Sequence, residues 1–208
     1  NGVAILSKTP LSKITTKNWC GKEDCRHIFA SIDGSDFGGK AGPVEIHNFY
    51  IPAGGDEPDP KKNEKFAHKL KFLEETTKWH KGRRKKTAAR IMVGDLNIAP
   101  LETDVWSHKQ LLKVVSHTPV EVEGLDKLQA AGPWVDAVRE IIPPEKSVFS
   151  WWSYRSKDWT VNDRGRRLDH VWVTEPLKSK IADAHIFRDA RSWEKPSDHV
   201  PITITFKL

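Results

Sequence analysis

The sequence lacks long apolar runs, and no stretch approaches the roughly 18 consecutive apolar residues that a membrane-spanning helix needs. It also has only two cysteines, Cys20 and Cys25, which lie close together in one short polar segment. Without a second cysteine pair or suitably spaced histidines, these thiols make a weak zinc site. We therefore expect a reduced pair in a loop, and a cytoplasmic protein that makes no membrane contact.

Charge of one sign is in modest excess, with 34 lysines and arginines against 28 aspartates and glutamates in 208 residues. The resulting net charge of +6 favours a polyanionic partner such as nucleic acid. Nine tryptophans are many for this length, and they suit core packing as well as stacking on bases or sugars.

Apolar periodicity predicts strands and helices mixed along the chain, which indicates one α/β or α+β domain over residues 1–208. The predicted strands are 3–6, 27–32, 44–50, 90–93, 147–154, 167–174, 182–187 and 200–208, with a glycine-rich hairpin turn at 38–43. The predicted helices are 62–79, 107–114 and 122–131, and 134–138 leads into a further short helix. We expect loops at 11–25 and 51–60 and a solvated basic run at 81–86.

The most informative segment, residues 93–100, ends a predicted strand with a carboxylate and an amide two residues apart. Asp95 and Asn97 lie on the same side of an extended backbone, and therefore face one small volume. Such a pair can orient a water, hold an oxyanion or bind a hard cation such as Mg²⁺. By itself, the segment fits equally well a strand that ends in an Asx-type turn.

Two further segments place polar or aromatic groups at predicted strand ends. Tyr50 shares a strand face with Asn48, and its phenol can hydrogen-bond a phosphate or act as an acid. A purely structural tyrosine is an equal alternative. Trp151 and Arg155 lie in an aromatic segment that suits packing on an unstacked sugar or base, or ordinary core packing.

Charged groups gather in the last third of the chain. Arg164, Arg166 and Arg167 precede Asp169, a pattern typical of phosphate recognition. A carboxylate buried at Asp169 requires a partner, because an unpaired buried charge is costly.

An adjacent acid and imidazole, Asp198 and His199, precede the last predicted strand. They can place a base or metal ligand beside the group that orients it, although such a pair alone is common. Taken together, a Tyr, an Asp-x-Asn, an Asp and an Asp-His, each at a strand end and in this order, resemble the exonuclease III family. That family belongs to the endonuclease/exonuclease/phosphatase superfamily.

The resemblance covers nearly all of the chain. Its most specific matches are residues 94–98, 151–157, 164–169 and 194–199, with support from residues 2–8. It implies a four-layer α/β sandwich of two mixed β-sheets flanked by helices. It also implies a Mg²⁺-dependent DNA repair nuclease, with Mn²⁺ as an alternative metal.

Family members cut the backbone 5′ to abasic sites, and many are also 3′→5′ exonucleases that remove 3′-phosphates. The resemblance thus implies a monomer that acts on double-stranded DNA with abasic sites or 3′ ends, in the cytoplasm and at the nucleoid.

The resemblance also implies a role for each matching residue. Tyr50 would hydrogen-bond the scissile phosphate, and Asp95 with Asn97 would position the attacking water. Asp169 would orient His199, which would be the general base or a phosphate contact. The implied metal ligands are Asp95, Asn97, Asp198 and His199. The implied DNA contacts are Trp151, Arg155, Arg164, Arg166, Arg167 and Leu168, with Trp151 and Leu168 lining the pocket for a flipped abasic sugar.

The sequence departs from the family pattern in three ways. The family's metal-binding Glu and a companion Asn belong to strands that precede the first residue of this sequence. We therefore expect an N-terminally incomplete domain that binds Mg²⁺ poorly, cuts little and exposes a sheet edge. Arg166 occupies a pocket position that is apolar in well-known members, and Ala53 replaces an amide that often follows the proline of the Tyr50 loop.

Two other functions stay open at this stage. A superfamily phosphoesterase for inositol phosphates or sphingomyelin would share Asp95, Asn97, Asp198 and His199. A DNA-binding remnant without catalytic activity would fit a chain that lacks part of its metal site. The tryptophan-rich segment and the arginines favour DNA, because such groups contact sugars and phosphates.

Overall fold

The computed structural model describes residues 2–37, 42–83, 88–156 and 158–207. One large sheet has the strand order β1-β2-β3-β4-β6-β5, and β7 and β8 pair as a second, antiparallel sheet. The strands are β1 (Ser12–Thr16), β2 (His27–Ile32), β3 (Val44–Tyr50), β4 (Arg90–Asp95), β5 (Trp134–Asp136), β6 (Asp169–Thr174), β7 (Ile181–Ile186) and β8 (Ile202–Phe206). The α-helices are α1 (Glu64–Gly82), α2 (His108–Leu111), α3 (Pro119–Ala131), α4 (Ala137–Ile141), α5 (Trp159–Asn162) and α6 (Glu175–Lys178).

Alternation along the central strands divides the apolar side chains between two cores. In β6, Trp172 packs on one face of the large sheet with apolar residues of α1 and α3. Val171 and Val173 pack on the opposite face, against Ile202 and Ile204 of β8. Helices, large sheet and second sheet are therefore stacked in layers, and the predicted α/β architecture of two sheets flanked by helices is confirmed.

The register of the central strands fixes which polar residues meet at their ends. Strands β3 and β4 are parallel and bring Tyr50 beside Asp95, while the antiparallel β4 and β6 bring Asp95 opposite Asp169. This pairing depends on Gly94, whose φ is +133° and whose missing Cβ would overlap the carbonyl oxygen of Phe49. Only glycine allows the two backbones to approach this closely.

Several predicted elements are confirmed. Strands β2 and β3 form the predicted hairpin with the predicted bounds, although part of its turn, residues 38–41, lies outside the described residues. Helix α1 covers most of the predicted span and extends to Gly82, and the rest of the basic run, residues 84–86, also lies outside the described part. Both cysteines are free, as expected. Within the described ranges, no helix is long and apolar enough to cross a membrane.

The first strand of the sheet is not the predicted one. Residues 3–6 form no strand, and the carbonyl of Ala4 accepts a hydrogen bond from the Asn48 side chain at 2.8 Å. The edge of β2 is paired instead with β1, which lies within the predicted loop at 11–25. Every residue of β1 is exposed, so no apolar alternation marks this edge strand in the sequence.

Other predicted elements also differ from the structure. Residues 147–154 are not a strand, because only Trp151 forms bridges there, to Arg166 and His199. Helix α3 begins at Pro119 rather than at residue 122, because its first turn is capped by the Glu121 carboxylate. Residues 134–136 pair with β6 as β5 before α4 begins.

Three histidines are buried among aromatic rings between the large sheet and α1: His27, His47 and His80. His27 Nε2 lies 3.0 Å from His47 Nδ1, whereas neither ring nitrogen of His80 has a hydrogen-bond partner among the described residues. Burial, assisted by the neighbouring His47, lowers the pKa of His27 to about 2 and that of His80 to about 3. Both rings are therefore neutral in the folded protein.

Replacing His80 with Phe should make the protein less sensitive to acid. In the unfolded chain a histidine binds a proton below about pH 6.5, whereas the folded protein keeps His80 neutral, so stability is lost as the pH falls below 6.5. Between pH 7 and pH 5 this histidine alone should lower the free energy of unfolding by about 2 kcal/mol. Urea unfolding at both pH values measures the difference, and His185→Phe, at an exposed position, is the matched control. An equal pH dependence in wild type and His80→Phe would contradict the expectation.

Candidate functional site

Side chains from the ends of β3 and β4 and from the segments before β6 and β8 surround a cleft of about 990 Å³. Of the residues singled out from the sequence, those that line this cleft are Tyr50, Asp95, Asn97, Trp151, Arg155, Arg164, Arg166, Leu168, Asp198 and His199. The structure thus brings together polar groups that are far apart along the chain. Trp106 and Ser116, which the sequence did not indicate, also line the cleft.

Two carboxylates and one imidazole lie at the centre of the site. His199 Nδ1 is 2.8 Å from Asp169 Oδ2, and His199 Nε2 is 3.9 Å from Asp95 Oδ2. Asp95, Asp169 and His199 each offer one atom that can bind a metal, and these atoms lie within 4.8 Å of one another. Cross-strand pairing produces this proximity, because residues directly opposite on neighbouring strands share a face of the sheet.

Asn97 fixes the orientation of the Asp95 carboxylate. Its backbone N–H donates to Asp95 Oδ1 and its side-chain Nδ2 donates to Asp95 Oδ2, both at 2.9 Å. The same Nδ2 donates to the carbonyl of Ile51 at 2.9 Å. Asn97 has a φ of +53°, a left-handed conformation that asparagine tolerates better than most residues. The Asx-type turn and the polar pair, alternatives from the sequence, are thus present together.

The charges at the centre of the site shift two pKa values. Burial and the negative charge of Asp169 raise the pKa of Asp95 to about 7. Burial disfavours the charged form of His199, but the hydrogen bond and charge of Asp169, together with Asp95 and Asp198, raise its pKa to about 9. The site therefore holds more negative charge than its own imidazole neutralises.

Ser150 supports the centre of the site, and nothing in the sequence pattern indicated it. Its hydroxyl donates to Asp169 Oδ2 at 2.6 Å and accepts the backbone N–H groups of Leu168 and Asp169 at 3.1 Å. The side chain of Ser150 is completely buried. It thereby fixes the carboxylate that orients His199, as a group behind a catalytic or metal-binding side chain often does.

A buried ion pair between Lys69 of α1 and Glu121 of α3 joins the loops around the cleft. Lys69 Nζ also donates to the carbonyl oxygens of Asn97 at 2.8 Å and Ala53 at 3.1 Å. Burial lowers the pKa of Lys69, and the negative charge of Glu121 opposes that shift. The Thr118-x-x-Glu121 pattern is typical of a helix N-terminus, but it does not indicate Lys69 as the partner of Glu121.

Tyr50 and Asp198 lie at the rim of the same cleft. The guanidinium of Arg26 is 4.8 Å from the centroid of the Tyr50 ring. Asp198 Oδ2 accepts a hydrogen bond from Trp151 Nε1 at 2.9 Å, so this acid orients the indole. Asp198 does not belong to the group of metal-binding atoms found among the described residues, and its role as a ligand stays a prediction.

The predicted arginines occupy different environments. Arg155 and Arg164 are exposed, and Arg164 lies 4.6 Å from the centroid of Trp106. Arg167 is completely buried, where it forms ion pairs with Asp104 and Asp136 at 2.7 Å. The prediction that Arg167 contacts DNA is therefore wrong, because its charge is neutralised inside the protein. Leu168 is buried next to it and reaches the cleft as part of an apolar wall.

Comparison with known proteins matches residues 1–199 to the Endonuclease/Exonuclease/phosphatase family. The chain is 32% identical over 214 residues to exodeoxyribonuclease III from Haemophilus influenzae, covering 99% of this chain and 76% of that protein. An AP endonuclease from Archaeoglobus fulgidus superposes with a TM-score of 0.85 and 26% identity, over 97% of this chain and 73% of that chain. The 3′ phosphatase NExo from Neisseria, bound to product DNA hairpin, has the same fold, with a TM-score of 0.83, 22% identity and the same two coverages.

Breaking the Lys69–Glu121 pair should destabilise the protein strongly. Lys69→Met or Glu121→Gln leaves one charge buried without its partner, and we expect each change to lower the free energy of unfolding by about 3–5 kcal/mol. The double variant should lose about 2 kcal/mol less free energy of unfolding than the two single variants lose together, because it removes both charges. Urea unfolding of the four proteins measures this coupling.

The control for this cycle is the exposed pair formed by Lys127 and Glu123, one helical turn apart on α3. Solvent screens that pair, so its double variant should show the sum of the single effects within error. If Lys69 and Glu121 were also additive, they would not act as one unit.

Proposed function

Because the chain belongs to the endonuclease/exonuclease/phosphatase family, we propose that it is a Mg²⁺-dependent DNA repair nuclease. It would cut the phosphodiester 5′ to abasic sites in duplex DNA, and would remove nucleotides and phosphates from 3′ ends. The observation that carries the proposal is the meeting of Asp95, Asp169 and His199, of which Asp95 and His199 line one cleft together with Tyr50. These groups can surround a single phosphate.

The donor set of the cleft suits a divalent cation. Carboxylate and amide oxygens are the ligands that Mg²⁺ prefers, and Asp95, Asn97 and Asp198 would hold the ion. The raised pKa of Asp95 supports this, since burial and the charge of Asp169 disfavour its ionised form and the single imidazole of His199 does not offset both effects. A bound divalent cation would neutralise the negative charge that develops on the phosphate oxygens.

The chain's own residues would prepare the attacking water. Asn97 holds both oxygens of Asp95, so this carboxylate has one orientation and would accept a proton from water at the edge of the cleft. The water oxygen would form a bond to phosphorus while the bond from phosphorus to O3′ breaks. The released O3′ takes up a proton and becomes a 3′-hydroxyl.

His199 and Tyr50 would bind the phosphate. The Nδ1 of His199 is tied to Asp169, which leaves Nε2 for a phosphate oxygen in the cleft. Of the two roles expected from the sequence, this geometry favours the phosphate contact, and Asp95 is the better candidate for the base. Tyr50 would donate a hydrogen bond from its phenol to a second phosphate oxygen, and such donors stabilise the pentacoordinate transition state.

The wall of the cleft suits DNA. Trp151 and Leu168 would pack on the sugar at the damaged position, and the exposed Arg155 and Arg164 would contact phosphates. Trp151 has its indole held by Asp198, so its ring has a fixed position before substrate arrives. A preorganised aromatic surface lowers the entropy lost on binding.

A duplex oligonucleotide with one abasic analogue tests the proposal. We expect Mg²⁺-dependent nicking on the 5′ side of the analogue, resolved on a denaturing gel. Replacing Asp95 with Asn or His199 with Ala should lower the turnover rate by about 10²–10⁴-fold and leave DNA affinity largely intact. Asp183→Asn, which removes an exposed acid on β7, is the matched control and should nick normally.

One outcome would contradict the role of His199, and another would contradict the nuclease activity itself. Nicking by His199→Ala at the wild-type rate would remove this residue from the mechanism. A protein that binds the duplex but never nicks it, with any divalent metal, would be a binding protein only.

A further inference from the structure

Arg166 is the charged group of the cleft whose surroundings the catalytic scheme leaves unexplained. Its Nη1 donates to the carbonyl of Val115 at 3.0 Å and to the hydroxyl of Ser116 at 2.8 Å. Its guanidinium lies 5.3 Å from the centroid of Trp151. One end of the planar group is therefore anchored and one face is stacked, so the guanidinium has a fixed orientation in the wall of the cleft.

The other edge of the same guanidinium has no acceptor within the described residues. Nε is buried without a hydrogen-bond partner, and no hydrogen bond from Nη2 is found. Within the same described ranges, no carboxylate forms an ion pair with Arg166, whereas its neighbour Arg167 pairs with Asp104 and Asp136. A half-buried cation without an ion-pair partner is unfavourable, and the guanidinium of Arg166 lines the cleft with Nη2 left to donate to an anionic ligand there.

The residue that anchors Arg166 is held in a strained conformation. Ser116 has a φ of +89°, which is rare for any residue other than glycine. Its backbone N–H donates to both carboxylate oxygens of Glu121 at 3.0 Å, so the Lys69–Glu121 pair supports it. Strain of this kind persists where the surroundings over-determine the backbone, and it is concentrated at functional sites.

The position of Arg166 relative to His199 follows from backbone pairing. Trp151 bridges to Arg166 on one side and to His199 on the other, so the three residues form a row across three segments. Residues paired in this way present their side chains to the same face. With about 5 Å between paired Cα atoms, Arg166 is about 10 Å from His199. The guanidinium is anchored to Val115 and Ser116 and makes no hydrogen bond to His199 within the described residues, so the group that it would bind lies beside the scissile phosphate.

We propose that Arg166 is a specificity-determining residue that binds a second anionic group, located just beyond the scissile phosphate. The inference rests on the proposed function, because it assumes that the scissile phosphate lies at Asp95 and His199. The second group stays attached to phosphorus when the bond to O3′ breaks, so the reaction itself is unchanged. A carboxylate on a damaged 3′ terminus and the next phosphate of an uncut strand offer the same anionic oxygens.

Two pairs of duplex probes distinguish these sources. In the first pair, the 3′-terminal phosphate carries either a glycolate, which is an anion, or a hydroxyethyl group, which is neutral and of similar size. In the second pair, an internal abasic analogue is followed by either a normal phosphate or a neutral methylphosphonate. Steady-state kcat/KM for each probe gives a charge preference, expressed as the anionic-to-neutral ratio.

We expect wild type to prefer the anionic member of at least one pair by more than about 10-fold, the gain typical of one charged hydrogen-bonded contact. In Arg166→Gln that ratio should fall to within about threefold of one, mainly through loss on the anionic probe, and Arg166→Lys should restore part of it. The pair that loses its preference identifies the source of the anion. Lys127→Gln, which removes an exposed charge on α3, should keep the wild-type ratio.

A second measurement does not depend on turnover. Fluorescence anisotropy with the Asp95→Asn variant compares the Kd of the anionic and neutral probes, with and without Arg166→Gln. The inference would be overturned if the wild-type anionic-to-neutral ratio were near one in both pairs. It would also be overturned if Arg166→Gln weakened the binding and turnover of both members of a pair equally. Nicking without a charge preference leaves the proposed nuclease function intact, whereas a charge preference in binding without nicking overturns that function and supports the anion site.

Discussion

A lysine and a glutamate that never meet solvent, Lys69 and Glu121, connect the segments from which the candidate site is built. The lysine holds the carbonyl of Asn97, and Asn97 in turn holds both oxygens of Asp95. The glutamate holds the backbone of Ser116, whose hydroxyl anchors a guanidinium in the wall of the cleft. A buried pair of this kind is a poor source of stability against an apolar replacement, but it allows only one arrangement of its neighbours. The positions of the site residues are therefore fixed by the single arrangement that this buried pair allows.

Besides this buried pair, the candidate site depends on the charges at its centre. Asp95 and Asp169 face each other across β4 and β6, and the imidazole of His199 lies close to both carboxylates. The arrangement is unfavourable for an isolated protein, as the raised pKa of Asp95 indicates. It would become favourable if a divalent cation and a phosphate entered together, as proposed above, because each charge would then have a partner. Catalytic sites commonly keep such unbalanced charge where the substrate supplies the compensation.

The sequence predicted those strands and site residues whose burial or polarity is visible in a pattern of neighbouring residues. The central strands and the acids at their ends were predictable, because apolar alternation and polar strand ends are visible within a few residues. The edge strand β1 was not, since its exposed residues carry no such pattern. Lys69 in an amphipathic helix looks like a surface residue, and only Glu121, 52 positions away, explains its burial. Arg166 and Arg167 are neighbours in the sequence, but Arg166 lines the cleft whereas Arg167 is buried in ion pairs, and no local pattern distinguishes them.

Gly94 shows that an indispensable position need not carry any reactive group. Its hydrogen occupies the space where β3 and β4 come closest, one residue before Asp95. In a library of all single substitutions, this position would tolerate as little change as the neighbouring acid, because any larger atom separates the two strands and moves the carboxylate with them. Measured over all single substitutions, the low tolerance at Gly94 would therefore report how closely the two strands pack, just as the low tolerance at Asp95 would report the chemistry of the site.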